Sequence, residues 1–163
     1  MKKTILIASL LLGGFMFQNA QAQVHVDVKL NVGTQPVWGP VGYDYVDYYY
    51  MPDIDVFYNV PRHQYVYLQS GHWIFASSLP SRYHSYDINR GYKVVVNEPT
   101  PYRNAAVYRT KYAGYKNNHG QEIIRNSHDS RYWENKNHPE HNKWKASQNS
   151  NGNGHGNGNG HKN

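Results

Sequence analysis

The chain alternates apolar and polar residues in several short runs, a pattern that is typical of β-strands. Residues 24–32 alternate without a break, with four valines and a leucine on one side and polar residues on the other. We expect a half-buried strand there, and a loop or linker over the Gly- and Pro-containing residues 33–42. Five further strands are predicted to form an antiparallel meander, at 43–50, 53–59, 64–69, 72–77 and 92–96.

The turns between these strands predict which residues lie opposite each other. Ser70-Gly71 fits a two-residue turn, because glycine adopts the positive φ angle that such turns need. Leu68 then lies opposite Trp73, and the preceding turn places Tyr58 opposite Tyr65. One face of the sheet carries Phe57, Val66, Leu68, Trp73 and Phe75, and the other carries Val56, Tyr58, Tyr65, Tyr67, Ile74 and Ala76. Neither face is polar, so both need cover from 24–32, from 43–50 or from another subunit.

Beyond the strands the pattern changes to a helical one. Ala105, Tyr108, Tyr112 and Tyr115 recur at spacings of three and four, which predicts a short amphipathic helix over 104–115. A core of about 60 residues without disulfides is marginal, so either this segment docks on the sheet or the protein associates. Residues 121–135 are expected to hold a helical turn or two. From residue 138 onward, Asn, Gly and His predominate and predict disorder.

These patterns predict a mainly β (α+β) protein, with a small antiparallel β meander, a short C-terminal helical segment and a disordered tail. The expected regions are a signal peptide (1–22), an N-terminal strand and linker (23–42), a tyrosine-rich β module (43–102), a basic, partly helical extension (103–137) and a disordered tail (138–163).

The first 22 residues have the layout of a secretory signal peptide. Lys2 and Lys3 precede an apolar run over 4–17, and Ala20-Gln21-Ala22 forms a small-residue cleavage site. The apolar run is too short to span a bilayer comfortably. We therefore expect cleavage before Gln23, a periplasmic or secreted protein, and no transmembrane segment after cleavage.

The composition of the chain limits the chemistry it can perform and the classes of partner it can bind. The chain has no Cys, which excludes disulfides, thiol chemistry and a lipid-anchored cysteine. Its charge is uneven, because 14 basic and six acidic residues follow Val60. The basic part would attract anionic polymers or an acidic partner surface, unless it pairs with the acidic front of the chain. Basic residues next to tyrosines also suit single-stranded nucleic acid, but export argues against nucleic acid as a partner.

Several runs resemble those of small uncharacterised secreted or periplasmic proteins of Bacteroidetes. The shared features are a tyrosine run at 48–50, a Tyr-x-Tyr-Leu…Gly-x-Trp hairpin at 65–73, Leu79-Pro80, and a Gly-Tyr-Lys-Val-Val strand at 91–95. The resemblance covers residues 48–102 and implies export from a Gram-negative cell. It implies no activity and no functional residues.

Candidate chemistry is sparse. His138 and His141 stand three residues apart and would share one helix face, where they could bind Zn²⁺ or Cu²⁺. Pro139 disfavours that helix, so no metal ligand and no cofactor is predicted. Asp53 and Asp55 would project from one side of a strand, but two acids at a sheet edge more often prevent edge-to-edge pairing than act in catalysis. No motif frames a nucleophile, so the chain is predicted not to be an enzyme.

Tyrosine is the one residue type with an unusual distribution. Tyr58, Tyr65 and Tyr67 share a predicted face and could form a flat ligand platform for sugar rings. The same three residues are equally suited to packing inside the sheet, and the sequence leaves both interpretations open. We expect an exported, non-enzymatic envelope protein that contacts peptidoglycan, another polysaccharide or an anionic envelope surface. The alternative is a cation-binding or sensory accessory protein acting through the His-rich tail. The sequence does not indicate an oligomeric state.

Overall fold

The computed structural model describes residues 29–152 and contains one antiparallel sheet of five strands. In chain order the strands are β1 (Tyr48–Met51), β2 (Val56–Asn59), β3 (Gln64–Gln69), β4 (His72–Ala76) and β5 (Val94–Val96). Their order in the sheet is β4-β3-β2-β1-β5, so β5 returns to pair with β1. Two helices follow, α1 (Ala105–Lys111) and α2 (His141–Gly152). The predicted class, mainly β with a C-terminal helical segment, is confirmed.

The predicted register is also confirmed. Leu68 lies opposite Trp73 in the β3–β4 pair, and Tyr58 lies opposite Tyr65 in the β2–β3 pair. The β3–β4 turn has positive φ angles at both central residues, Ser70 (50°) and Gly71 (78°). This backbone matches the right-handed twist of the flanking strands, which is why a two-residue turn works here.

Strands β2 and β5 begin later than predicted, because a turn or a side chain forms hydrogen bonds with the backbone that precedes them. The chain turns between β1 and β2, with Ile54 N donating to Met51 O (3.3 Å) and Asp55 at a φ of +54°. The predicted strand at 53–59 therefore begins only at Val56. β5 is preceded by Lys93, whose N–H and C=O both bond to the side-chain amide of Gln121 (2.9 Å each).

The predicted strand at 24–32 is wrong for its last residues, while residues 24–28 lie outside the described part of the chain. Residues 29–31 are irregular, and Val32–Thr34 forms a 3-10 turn. Asn31 causes the change, because its carbonyl accepts from Thr34 N and Gln35 N and closes a turn. Its side chain meanwhile binds both main-chain groups of Val46.

One face of the sheet, the helix-covered face, packs against α1 and the turn that precedes it. The sheet contributes Tyr48, Tyr50, Phe57, Val66 and Val96, and the cover contributes Tyr102, Ala105, Tyr108 and Tyr112. The helix predicted over 104–115 is α1, flanked by 3-10 turns at Pro101–Asn104 and Ala113–Tyr115. Its docking on the sheet was one of two predicted ways to stabilise a small core, and the structure shows it.

The opposite face, the loop-covered face, packs against irregular segments. The sheet contributes Tyr49, Met51, Val56, Tyr58 and Tyr67, and the cover includes Trp38, Val46, Ile54, Leu79, Tyr83, Tyr86 and Ile88. The prediction that both faces need cover is therefore correct, and the chain itself supplies it. Among the described residues, most of the cover comes from the segment around Trp38 and from residues 79–88, and Val46 comes from the predicted covering segment 43–50.

The segment after α1 bonds to the residues on either side of Trp38, with Ile124 N donating to Gly39 O (2.9 Å) and Arg125 N to Val37 O (2.8 Å). Ile124 and Tyr132 are fully buried, and Tyr132 Oη accepts from Gly42 N at 2.6 Å. The predicted helical turns appear as 3-10 turns at Ile124–Asn126 and Ser130–Tyr132. Helix α2 occupies part of the region that was expected to be disordered, and residues 153–163 lie outside the described part. Among residues 29–152, no helix has the length and apolar character to cross a membrane.

Candidate functional site

The three tyrosines predicted to form a ligand platform lie on the loop-covered face. Tyr58 and Tyr67 are each only 7% exposed, and Tyr65 is half-buried. Trp38 packs edge-on to Tyr58 with ring centres 4.8 Å apart, and the Arg82 guanidinium lies over the Tyr67 ring at 5.2 Å. The idea of a flat exposed platform is therefore corrected. Of the two interpretations left open, packing describes Tyr58 and Tyr67, because the segment around Trp38 and the loop after β4 lie on top of them.

A cleft of about 510 Å³ opens beside this packed cluster and retains one of the three tyrosines, Tyr58, in its lining. Two irregular segments form its walls, one before β1 and one before α2. Aromatic side chains form part of its floor, and polar side chains surround them. The lining consists of residues 33–38, Tyr58, His63 and residues 134–137.

The first wall is held by a buried polar network centred on Gln35, which is 1% exposed. Its Nε2 donates to Tyr43 O (2.9 Å) and to Asn31 Oδ1 (3.1 Å), and its Oε1 accepts from Tyr49 Oη (2.9 Å). Burial raises the pKa of Tyr49, so this hydroxyl stays a neutral donor. Gly39 is required here, because a Cβ would lie 2.5 Å from Tyr49 Oη.

The second wall is locked to the first. Asn135 is 2% exposed and donates from Nδ2 to Gln35 O, across 100 residues of sequence. Its Oδ1 accepts from Asn137 N (3.0 Å), which shapes the turn that carries Lys136. Glu134 packs against Gly33, where a Cβ would lie 2.8 Å from Glu134 Oε1. Because the two walls share these contacts, the cleft is preformed.

Trp38 is the central aromatic residue of the floor. Its ring contacts Tyr49 and Tyr58 edge-on and stacks at 6.5 Å on Tyr65, with 20° between the planes. Burial raises the pKa of Tyr58 to about 12. The Tyr58 hydroxyl lies 3.4 Å from Nδ1 of His63, an exposed residue at the mouth of the cleft. These contacts fix the indole while leaving it only half-buried.

His63 adopts a left-handed backbone, with a φ of +53°. Such conformations cost about 1–3 kcal/mol in a residue other than glycine and tend to occur at functional sites. The turn from Val60, in which His63 N donates to Val60 O (3.2 Å), imposes the conformation. As a result the imidazole is presented at the mouth of the cleft.

The cleft thus combines aromatic rings with exposed hydrogen-bonding groups. His63, Glu134, Lys136 and Asn137 are all exposed at its rim, and they offer donors, acceptors and both signs of charge. Such a set can hold a polar ring by stacking and by hydrogen bonds to its substituents. Within residues 29–152, no group of three or more His, Asp or Glu side chains could hold a metal ion.

The histidine pair considered as a metal site has structural contacts instead. His138 is 4% exposed, its Nε2 lies 3.1 Å from Ile124 O, and its Nδ1 accepts from Glu140 N (3.1 Å). His141 Nδ1 lies 2.9 Å from Trp133 O. His138 therefore has no ring nitrogen left to bind a metal. The tail histidines 155 and 161 lie outside the described residues.

The two aspartates considered as a catalytic pair point to different faces of the sheet. Asp55 accepts from Tyr50 Oη (3.0 Å) and from Arg109 Nη2 (2.6 Å) beside the helix-covered face. Asp53 accepts from Asn117 N (2.7 Å) with one oxygen, and its other oxygen is buried near Tyr86 on the loop-covered face. They do not share a site, because both lie in the turn before β2 rather than on a strand.

Sequence reasoning missed Trp38, His63 and residues 134–137 as cleft residues. One signal was available for Trp38, since a large aromatic residue between Pro36 and Gly39 in a predicted linker needs a packing partner or a ligand. Comparisons with known protein families, with curated proteins and with solved structures find no match. The resemblance to secreted Bacteroidetes proteins therefore stays a prediction.

Proposed function

We propose that this chain is an exported, non-enzymatic envelope protein that binds a saccharide unit of cell-wall glycan in the Trp38 cleft. The observation that carries the proposal is the fixed, half-buried indole of Trp38 on the floor of a preformed cleft with a polar rim. Export rests on the signal-peptide layout of residues 1–22, and glycan is the abundant polymer of that compartment.

The chemistry of a sugar matches this cleft. The C–H groups of a sugar ring stack on an aromatic face, while its hydroxyl and amide substituents require donors and acceptors around that face. His63, Glu134 and Asn137 surround the indole and supply these groups. The cleft volume lies within the range of about 300–1,000 Å³ that is usual for ligand sites.

The rigidity of the cleft supports a binding role as well. Gln35 and Asn135 hold both walls before any ligand arrives, so little conformational entropy is lost on binding. The alternative function, cation binding through the His-rich tail, gains nothing from the described residues, because His138 uses both ring nitrogens internally.

Cosedimentation of residues 23–163 with isolated peptidoglycan, at low and high salt, tests the proposal. We expect pelleting that resists high salt, because stacking and neutral hydrogen bonds are little screened. If high salt abolishes pelleting, the result would contradict binding in the cleft and would assign binding to the basic surface. A protein that remains in the supernatant under all conditions would refute the proposed function.

Substitutions at two exposed rim residues test whether the cleft is responsible for retention on peptidoglycan. His63→Asn removes the imidazole, and asparagine tolerates the left-handed backbone better than most residues. Asn137→Ala removes a rim amide whose side chain is exposed. Each should weaken retention about three- to tenfold, the typical effect of one lost hydrogen bond. His72→Asn is the matched control, because His72 is exposed at the start of β4 and does not line the cleft.

A further inference from the structure

A buried lysine lies behind the floor of the cleft. Lys93 precedes β5, is 1% exposed, and places Nζ over the Trp38 ring at 5.9 Å from its centre. Nζ has no hydrogen-bond partner in the described part of the molecule. Burying an ammonium without hydrogen bonds is unfavourable, so the indole face is an important compensating contact.

The groups around this ammonium come from three segments. Trp38 lies on the floor of the cleft in the segment before β1, Asp53 belongs to the turn between β1 and β2, and Asp87 belongs to the loop before β5. Both carboxylates attract the ammonium, but neither forms an ion pair with it among the described residues. Buried oxygens of Asp53 and Tyr86 also have no partner within residues 29–152.

We propose that Lys93 is a positioning residue of the cleft, which holds the Trp38 indole in its binding orientation by a charge-dependent contact with the ring. The inference rests on the proposed function, since it concerns the same cleft. It adds that the charge on a buried side chain controls ligand retention, although that side chain does not line the cleft. The strength of a cation–π contact depends on that charge and increases when the pair is desolvated.

The contact is expected to respond to pH within an accessible range. Burial lowers the pKa of Lys93 to about 8, and the carboxylates of Asp87 and Asp53 oppose that decrease. Lys93 is therefore mostly charged at pH 7 and mostly neutral at pH 9. Retention on peptidoglycan should fall about threefold or more between these values, since the cation–π attraction is lost on deprotonation.

The first test observes Trp38 without any ligand. NMR resolves the indole N–H signals of the four tryptophans, and Trp38→Phe assigns the signal of Trp38. In the full chain this signal should titrate with a midpoint near pH 8, the pKa expected for Lys93. Lys93→Met retains the aliphatic stem and should abolish the transition. A transition that persists in Lys93→Met would overturn the proposal.

A second variant distinguishes positioning from simple packing. Asp87→Asn keeps the oxygen that accepts from Asn89 N (2.9 Å) and removes one of the charges that stabilise the ammonium. The midpoint should therefore shift to lower pH. Arg90→Gln, also on the loop surface, is the opposite-sign control and should not lower the midpoint. An unchanged midpoint in Asp87→Asn would overturn the proposal.

Retention on peptidoglycan then separates the two proposals. If the full chain never pellets but Trp38 titrates as described, the proposed function fails while the Lys93–Trp38 contact is real. If the full chain pellets at pH 7 and Lys93→Met pellets as strongly as the full chain at that pH, the positioning role is wrong and the proposed function stands. Reduced retention of Lys93→Met, with a folded NMR spectrum, is the supporting result.

Discussion

Both faces of the sheet carry buried tyrosines, but they are covered in different ways. On the helix-covered face, α1 supplies Ala105 and Tyr108, and the contacts are almost wholly aromatic and apolar. On the loop-covered face, irregular segments supply Trp38 and Tyr86, and buried polar groups such as Gln35 and Lys93 accompany them.

The difference follows from how each covering segment forms hydrogen bonds with its own backbone N–H and C=O groups. A helix pairs most of its N–H and C=O groups internally and can present an apolar side to the sheet. A loop cannot do so, and its buried main-chain groups need side-chain partners. Asn31, Gln35 and Asn135 supply such partners on the loop-covered face. Irregular cover thus brings polar groups together around an aromatic floor, and the cleft is found there.

Truncating one tyrosine on each face should produce the largest effects. Tyr49 and Tyr50 are adjacent on β1, point to opposite faces and are both fully buried. Substitution of either by Ala should lower the free energy of unfolding by about 3–5 kcal/mol, as for other buried aromatic residues. Urea denaturation measures the loss. Tyr115→Ala, with Tyr115 40% exposed, is the control and should cost far less.

Hydrogen exchange shows whether the two faces respond separately. Tyr50→Ala should increase exchange in α1, because Tyr50 packs against Tyr108 and Tyr112 with ring centres 5.7 and 6.2 Å apart. Tyr49→Ala should instead increase exchange in residues 35–39. Identical exchange patterns in the two variants would contradict the idea that the faces are covered independently.

The pH dependence of stability should reveal the buried lysine. Because burial lowers the pKa of Lys93 from 10.5 to about 8 in the folded protein, the unfolded chain binds more protons between these values. Stability should therefore rise by up to about 3 kcal/mol as pH increases through this range. Above pH 10 stability should fall, because burial raises the pKa of Tyr49, Tyr50 and Tyr58 and only the unfolded tyrosines ionise.

Lys93→Met is the matched variant for this titration. It should be more stable than the natural chain at pH 7 and should lose the rise between pH 8 and 10, while it keeps the fall above pH 10. Denaturation at a series of pH values gives both curves. An equal rise of stability with pH in both proteins would show that a group other than Lys93 causes it.

Removing a single tyrosine hydroxyl on each face should lower stability by a smaller amount and compares the polar contacts of the two faces directly. Tyr49→Phe leaves Gln35 Oε1 buried without its donor and should cost about 1–3 kcal/mol. Tyr50→Phe should cost about 0.5–1.5 kcal/mol, because Asp55 is partly exposed and keeps its ion pair with Arg109. Urea denaturation of both variants checks the order, and the reverse order would contradict the contrast between polar and apolar cover.

The sheet was predictable because its signals are local. Period-two alternation and the Ser70-Gly71 turn determine the β3–β4 register within a few residues. The spacing of Ala105 and Tyr108 likewise predicted α1 and the side that it buries. The same alternation places Lys93 and Val95 on one side of the strand predicted at 92–96, so a buried lysine could also have been anticipated.

The cleft was not predictable, because distant segments form it. Asn135 meets Gln35 across 100 residues, and Trp38 meets Tyr58 across the whole of β1. No periodicity marks such contacts in one sequence. The prediction of an exposed tyrosine platform was wrong for a related reason. Residues 33–42, which were predicted to be a loop or linker, pack on top of these tyrosines. Asp53 and Asp55 were misassigned because a left-handed residue within the run ends the strand pattern.

The amide of Gln121 has a consequence for how the protein behaves at high concentration. It occupies both main-chain groups of Lys93 at the outer side of β5, much as a neighbouring strand would. The opposite edge, β4, pairs only with β3 among residues 29–152, and it carries Phe75 at 46% exposure. Fibrous growth requires two receptive edges on every subunit, and the Gln121 amide makes the β5 edge the less receptive of the two. Molecules that do associate through strands should therefore pair at β4 in preference to β5.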